Sequence, residues 1–232
     1  RKKMEDYNKT HFETKKGMAV MPICFGISFT TLYMNQASAL VHVYIDGSIS
    51  VSTGGVEMGQ GLKSNIAGIV AKGFGIREHR IKIESTNTTR VANMSPSAAS
   101  ATTALNGNAT LIAIGQVLGL LKSMVAKELG VLDTGRITIV DEKVFCDGRE
   151  TDWTWDRLVQ TAHLNRIDLS AHGFFATPEI YFDKIKEKGH PFAYHIFGTA
   201  IIEVTLDCLR GTYDIDSVKI VHDLGRPLSE LV

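Results

Sequence analysis

Hydrophobic and polar positions follow two different periods along the chain. Residues 40–45 are a β-rich run and 48–52 alternate, on either side of Asp46-Gly47, a strong local sign of a β-hairpin. Leu62, Ile66, Ile69 and Val70 then fall at i, i+4, i+7 and i+8, one face of a helix that Gly73 and Gly75 end. Residues 80–84 alternate again and predict a strand. A long apolar helix is expected over about 104–129, a strand at 136–140 and a short amphipathic helix at 153–164. Two β-rich runs, 193–208 and 212–222, read as a second hairpin joined at Leu209-Arg-Gly-Thr212. Segment 17–31 is apolar but broken by Pro22 and Gly26, which predicts a short strand and a loop. Strand, Gly-rich turn, helix and strand in succession give a mixed α/β unit, and the fold class is α+β with β-hairpins packed by helices.

Residues 1–16 carry five Lys, one Arg and three acids without a sustained apolar stripe, so they read as a solvated charged arm or helix. Residues 17–232 read as the folded region. Hydrophobic residues make up 44% of the 232, enough for a core and too many for a disordered chain. Lys+Arg 25 against Asp+Glu 25 leaves no basic surplus for a nucleic-acid surface or a polybasic anchor. The longest apolar run, 111–121, contains Gln116 and two glycines and is shorter than the roughly 20 residues of a membrane span. Nucleic acid and membrane are therefore not expected partners. Cys24, Cys146 and Cys208 lack the short spacings of zinc or iron–sulfur motifs. They predict three reduced, buried thiols in a cytoplasmic protein.

Three segments are candidates for chemistry. Gly59-Gln-Gly61 stands at a helix start, where free N–H groups attract an anion. It matches neither the P-loop nor the dinucleotide fingerprint, so a tight strand-to-helix turn explains it equally well. Glu57 beside it reads as a carboxylate of lowered pKa serving the helix N-terminus, not as a base tuned near neutrality. The Ser/Thr-rich loop 93–103 precedes the long helix and is either a polar ligand cradle or an ordinary capped loop. Phe29-Thr30 sets an aromatic face beside a hydroxyl, fit for a flat heterocycle, though a lone Phe equally serves a core. The eight histidines are scattered without metal-ligand spacing, and no nucleophile–base pair stands out.

Taken in order, Phe25-Gly-Ile-Ser-Phe-Thr30, Asn35-Gln36-Ala37, Asp46-Gly-Ser48, Gly54-Gly-Val-Glu-Met-Gly-Gln-Gly61, Asn93-Met-Ser-Pro-Ser-Ala-Ala-Ser100 and Leu105-Asn-Gly107 carry a resemblance. Gly173-Phe-Phe, Pro191-Phe-Ala-Tyr-His195 and Glu203-Val-Thr-Leu-Asp-Cys-Leu209 continue it. The chain resembles the molybdenum-binding part of xanthine dehydrogenases of the xanthine oxidase family, most nearly the bacterial molybdopterin-binding subunit. The resemblance runs from about residue 17 to 232, and its two Gly- and Ser-rich motifs are the specific part.

The resemblance implies a molybdenum–molybdopterin cofactor. Met58, Gly59 and Gln60 would contact the pterin and its phosphate. Ala99 would approach the metal through its backbone, with Ser100, Ala101 and Thr102 continuing the cradle. Ala98 would line the substrate pocket, Phe29 would stack on a purine ring and Thr30 would hydrogen-bond it. The implied reaction hydroxylates xanthine or hypoxanthine with oxygen from water. Electrons then pass through Fe–S and FAD on other domains or subunits to NAD, in an oligomeric enzyme. The family's Glu base belongs to a Gly-Glu-Pro-Pro segment expected beyond Val232, and a pocket Arg and a second Glu are expected before Arg1. No catalytic residue is therefore assigned here, and a fragment inactive by itself is expected. Two alternatives stand beside this: an aldehyde or an N-heterocycle such as nicotinate as substrate, or a non-catalytic remnant or assembly module of the fold.

Overall fold

The computed structural model describes residues 1–223 and 225–228, and the chain divides into two compact units. The first comprises Arg1–Ile27 and Tyr194–Pro227. It contains helix α1 (Lys2–Thr10) and strands β1 (Thr14–Ile27), β11 (Tyr194–Asp207) and β12 (Thr212–Asp223), an antiparallel sheet in the order β1-β11-β12. β1 is one continuous 14-residue strand, not the expected short strand and loop. It lies at the sheet edge, and an edge strand tolerates the missing N–H of Pro22. The sheet begins already at Thr14, inside the expected charged arm, and α1 buries none of its residues. β11 and β12 form the expected second hairpin, with a register shift at Glu203/Val204.

The second unit, Ser28–Ala193 with Leu228, holds the core. Strands β2 (Gln36–Val43), β3 (Ile49–Thr53), β4 (Ile81–Ile83) and β8 (Ser170–Ala176) make a four-stranded sheet in the order β4-β3-β2-β8. β2 and β3 are the predicted hairpin. Asp46 Oδ1 accepts from the Ser48 N–H at 2.9 Å, and Gly47 takes the left-handed φ of +79° that the turn requires. Trp155, fully buried, donates its indole N–H to the Gly47 carbonyl at 2.8 Å and so fastens the turn to the core.

Helix α2 (Leu62–Phe74) buries Leu62, Ile66, Val70 and Phe74, the face its periodicity predicts. Burying each such side chain stabilises the fold by about 1.5–3 kcal/mol. Gly75, φ +72°, ends the helix by returning its N–H to the Ala71 carbonyl. Helix α3 (Thr102–Glu128) starts two residues earlier than expected and packs on β2, β8, α2 and helix α4 (Trp155–Leu164). By length and composition α3 matches a membrane span, yet half of its most apolar stretch is buried in this core. Gly173 of β8 lets the two backbones meet: a Cβ there would overlap the Ala109 carbonyl and stand 2.8 Å from the Ala113 nitrogen.

Strands β5 (Ile137–Val140), β6 (Lys143–Cys146) and β7 (Arg149–Thr154) form a separate antiparallel sheet, and β9 (Tyr181–Asp183) pairs with β10 (Lys188–His190). Of these only β5 was legible as a strand, because Ile137-Thr-Ile-Val140 is free of charge whereas each of the others includes a charged residue. The cysteines correct a second expectation. All three are free, but Cys24 and Cys208 are exposed and Cys146 is half-buried.

Candidate functional site

Sheet topology collects the candidate residues at one end of the second unit. β2 starts at Gln36, opposite Ala176 where β8 ends, and its Ala39 pairs with Thr53 where β3 ends. β4 runs parallel to β3, so segments 54–61 and 84–101 leave their strands in the same direction. The carboxyl ends of adjacent parallel strands are a common place for a ligand in an α/β sheet.

The Gly-rich segment begins buried and ends exposed. A Cβ on Gly55 would stand 2.5 Å from Leu62 Cδ2, 3.1 Å from the Thr102 methyl and 3.2 Å from Asn106 Nδ2, so glycine lets this turn lie close against the starts of α2 and α3. Thr86 Oγ1 donates to the Gly55 carbonyl at 2.7 Å. Beyond it the loop is held by its own side chains. Gln60 Oε1 accepts from the Met58 N–H at 2.6 Å, and Gln60 Nε2 donates to the Val56 carbonyl at 2.8 Å. Gly59 has φ +95° with nothing within 4 Å of where a Cβ would stand, so conformation and not space demands glycine.

Glu57 resolves the two readings of the helix start. Its carboxylate accepts from the N–H groups of Lys63 and Gly59 at 2.9 Å each and of Gly61 at 3.2 Å. These bonds, that of Lys63 foremost, hold its carboxyl below the usual range. The first amides of α2 are thus taken by the protein's own anion. At the start of α3, by contrast, the N-cap Ala101 supplies no side-chain acceptor.

The Ser-rich loop leads into that end. Asn93, Ala99 and Ser100 hold φ values of +54°, +54° and +53°, each costing a non-glycine residue about 1–3 kcal/mol. Ala98 and Ser100 are exposed, Ala99 and Thr102 half-buried, and Ala101 buried. Ser97 Oγ accepts the Val56 N–H at 2.7 Å and ties this loop to the Gly-rich one. Ser95 Oγ donates to the Gln36 carbonyl at 3.0 Å, tying it to the start of β2. Beneath both loops lies Asn106, 3% exposed, whose Nδ2 donates to the Thr102 carbonyl while its Oδ1 has no hydrogen-bond partner.

Phe29, half-buried, and Thr30, exposed, lie just before Asn35, whose side chain bonds the Phe29 backbone twice. Asn35, Ser97 and Asn106 stand in motifs that carry the resemblance but were given no role there, and Thr86 was not singled out, since their roles are contacts across the fold. Among the described residues no group of three or more His, Cys, Asp or Glu side chains gathers as for a metal ion. What the site offers is backbone: two loops bonded to each other, left-handed residues and an uncapped helix N-terminus. With the Gly-rich loop's amides occupied, the free donors are those at the start of α3, and they fit an anionic group of a polar ligand such as a pterin cofactor.

Comparison with known proteins agrees. The chain is 41% identical over 225 residues to a xanthine dehydrogenase of Oryza sativa subsp. japonica, covering 97% of this chain and 15% of that protein. It is 36% identical over 232 residues to a xanthine dehydrogenase/oxidase of Gallus gallus, covering 100% of this chain and 16% of the relative. Among solved structures it superposes on a Cu,Mo-CO dehydrogenase with TM-score 0.79, at 18% identity, covering 99% of this chain and 29% of that one. It also superposes on the aldehyde oxidoreductase of Desulfovibrio gigas with TM-score 0.73, at 21% identity, covering 98% and 22%. The chain therefore spans about one-sixth of the curated relatives, and its fold is that of molybdenum hydroxylases. The sequence model described as the molybdopterin cofactor-binding domain matches residues 1–232, and the chain belongs to that family.

Proposed function

We propose that this chain is part of a molybdenum hydroxylase that oxidises a purine, xanthine or hypoxanthine, and that its second unit supplies part of the pterin cradle and one wall of the substrate pocket. The molybdenum cofactor, when bound, supplies the two-electron redox chemistry by which water oxygen replaces hydrogen on an electron-poor ring carbon. The residues of this chain bind and orient. Met58, Gly59 and Gln60 present the exposed Gly-rich loop to the pterin and its phosphate. Ser100, Ala101 and Thr102 continue the cradle at the uncapped start of α3, and the Ala99 backbone would approach the metal. Ala98 lines the substrate pocket, the Phe29 ring stacks on the purine, and the Thr30 hydroxyl hydrogen-bonds it. No residue of this chain is assigned as the base.

The observation that carries the reading is the convergence of Phe29-Thr30 and the two loops on one end of one sheet, in a chain 34–41% identical to xanthine dehydrogenases. The reading brings with it Fe–S and FAD domains or subunits, NAD as acceptor, an oligomeric cytoplasmic enzyme and a place in purine catabolism.

The test is molybdenum content and turnover of purified enzyme containing this chain, with Phe29→Ala beside the wild type. Near one molybdenum per chain, xanthine turnover and a raised xanthine KM in Phe29→Ala support the proposal. An aldehyde or nicotinate turned over equally well by both proteins would replace the purine by a small substrate. A folded protein that never acquires molybdenum would make the chain a non-catalytic module.

A further inference from the structure

Asn35 is 2% exposed, and its side chain serves a single residue. Oδ1 accepts the Phe29 N–H and Nδ2 donates to the Phe29 carbonyl, each at 2.8 Å. Asn35 is itself fixed, its N–H donating to the Leu32 carbonyl at 3.0 Å and its carbonyl accepting from the Thr177 N–H at 2.9 Å, just past β8. Before Phe29 the chain passes through Ser28, buried at φ +138°, a conformation that needs its surroundings to hold it.

A donor and an acceptor meeting the N–H and carbonyl of one residue is what a neighbouring strand provides in an antiparallel ladder. Phe29 lies outside every strand. The Asn35 amide takes the place of the missing strand and fixes the Phe29 peptide in one orientation. Few side chains do this: a carboxylate only accepts, a serine hydroxyl is too short, and glutamine is one methylene too long. Asn8 makes the same pair of bonds with Lys16 where α1 meets β1, so the device itself is architectural. At Phe29 it acts on a residue assigned to the substrate.

We infer that Asn35 is the positioning residue of the substrate wall: by clamping the Phe29 peptide it sets the directions in which the Phe29 ring and the Thr30 hydroxyl meet a purine, and so favours purines over small aldehydes. The inference rests on the purine reading above. Ring stacking depends on the offset and tilt of the two planes, so a loosened Phe29 weakens purine binding more than it alters the chemical step.

The experiment uses the complete enzyme containing this chain, as wild type, Asn35→Asp, Asn35→Ala and Phe29→Ala. It compares xanthine with a small aldehyde, together with molybdenum per chain and hydrogen exchange of segment 28–36. Asn35→Asp keeps the volume and the acceptor but turns a negative oxygen toward the Phe29 carbonyl. For both Asn35 variants the xanthine KM should rise about tenfold, the scale of one or two lost hydrogen bonds, with kcat within about twofold. Aldehyde KM and molybdenum content should stay put while segment 28–36 exchanges faster. An unchanged xanthine KM despite faster exchange overturns the inference, and so does equal loss on both substrates, which marks a merely structural role. If Phe29→Ala also leaves xanthine KM unchanged, it is the purine reading that fails. Should no Asn35 variant accumulate, the wild type decides: its Phe29 amide should exchange slowly and slow further with a bound purine inhibitor, and no response to the purine overturns the inference.

Discussion

The Val56 backbone N–H donates to the Ser97 hydroxyl at 2.7 Å, joining two loops 41 residues apart in the chain. Each loop has its own internal order: Gln60 and Glu57 close the first, left-handed residues bend the second. This bond makes the two a single surface. Ser97→Ala should leave the fold almost untouched, at a cost of about 0.5–1.5 kcal/mol, while lowering the molybdenum retained per chain after gel filtration. Equal retention in wild type and variant would show that the loops keep their places without the bond.

Gln60 bridges Met58 and Val56 with both ends of its amide. Gln60→Ala removes both bonds from an exposed loop, so global stability should change by less than about 1 kcal/mol. If the loop meets the pterin as proposed, cofactor content should fall, because its shape is no longer fixed. Metal analysis and pterin fluorescence on the same preparation check it; full content in the variant would remove Gln60 from the cradle.

Two carboxylates make the site sensitive to acid. Arg90 at 2.9 Å and Lys82 at 3.0 Å hold Glu84 down to about 2, and the ion pair with Arg90 ties the segment just before the Ser-rich loop to the end of β4. Glu57 is lowered by the amides it caps. A carboxyl depressed in the folded state adds stability above its unfolded value and loses it as pH falls through the folded one. Segment 84–101 should therefore loosen progressively as pH drops from about 4.3 toward 2. Glu84→Gln should exchange that segment quickly already at pH 7 and respond less to acid. A variant with wild-type exchange at pH 7 would deny Glu84 its anchoring role.

How far the sequence reveals this architecture depends on the distance over which each feature is decided. The β2–β3 hairpin and α2 were legible because Asp46-Gly47 and a 3.6-residue period act within a few residues. β1 was hidden by Pro22, since nothing local says that the strand lies at an edge. β6 and β7 carry Lys143, Arg149 and Glu150, so their alternation is lost among charges. At the site, residue types and order pointed to the two loops, and the proximity of Glu57 to a helix start foretold its lowered pKa. The Asn35 clamp and the Ser97 tie depend on which segments the sheet brings together.

Gly173 gives the sharpest test of how the core supports the site. Its neighbours in space are the Ala109 carbonyl and the Ala113 nitrogen of α3, and it pairs with Ala39 in the sheet. Neither side yields easily, because one is a helix backbone with its hydrogen bonds made and the other is held in a ladder. Gly173→Ala must push α3 away from β8, which should cost about 1–3 kcal/mol or more in a denaturant titration. The same helix begins at Thr102, in the proposed cradle, so the displacement should also reduce molybdenum content. Gly115→Ala is the control. It lies in α3 with nothing within 4 Å of the added methyl, so it should stabilise by about 0.5–1 kcal/mol through helix propensity and leave the metal in place. Two glycine-to-alanine changes in contact with or within one helix should thus move stability in opposite directions. If Gly173→Ala matched Gly115→Ala, the close approach of β8 to α3 would be wrong, and with it the mechanical link from the core to the cradle.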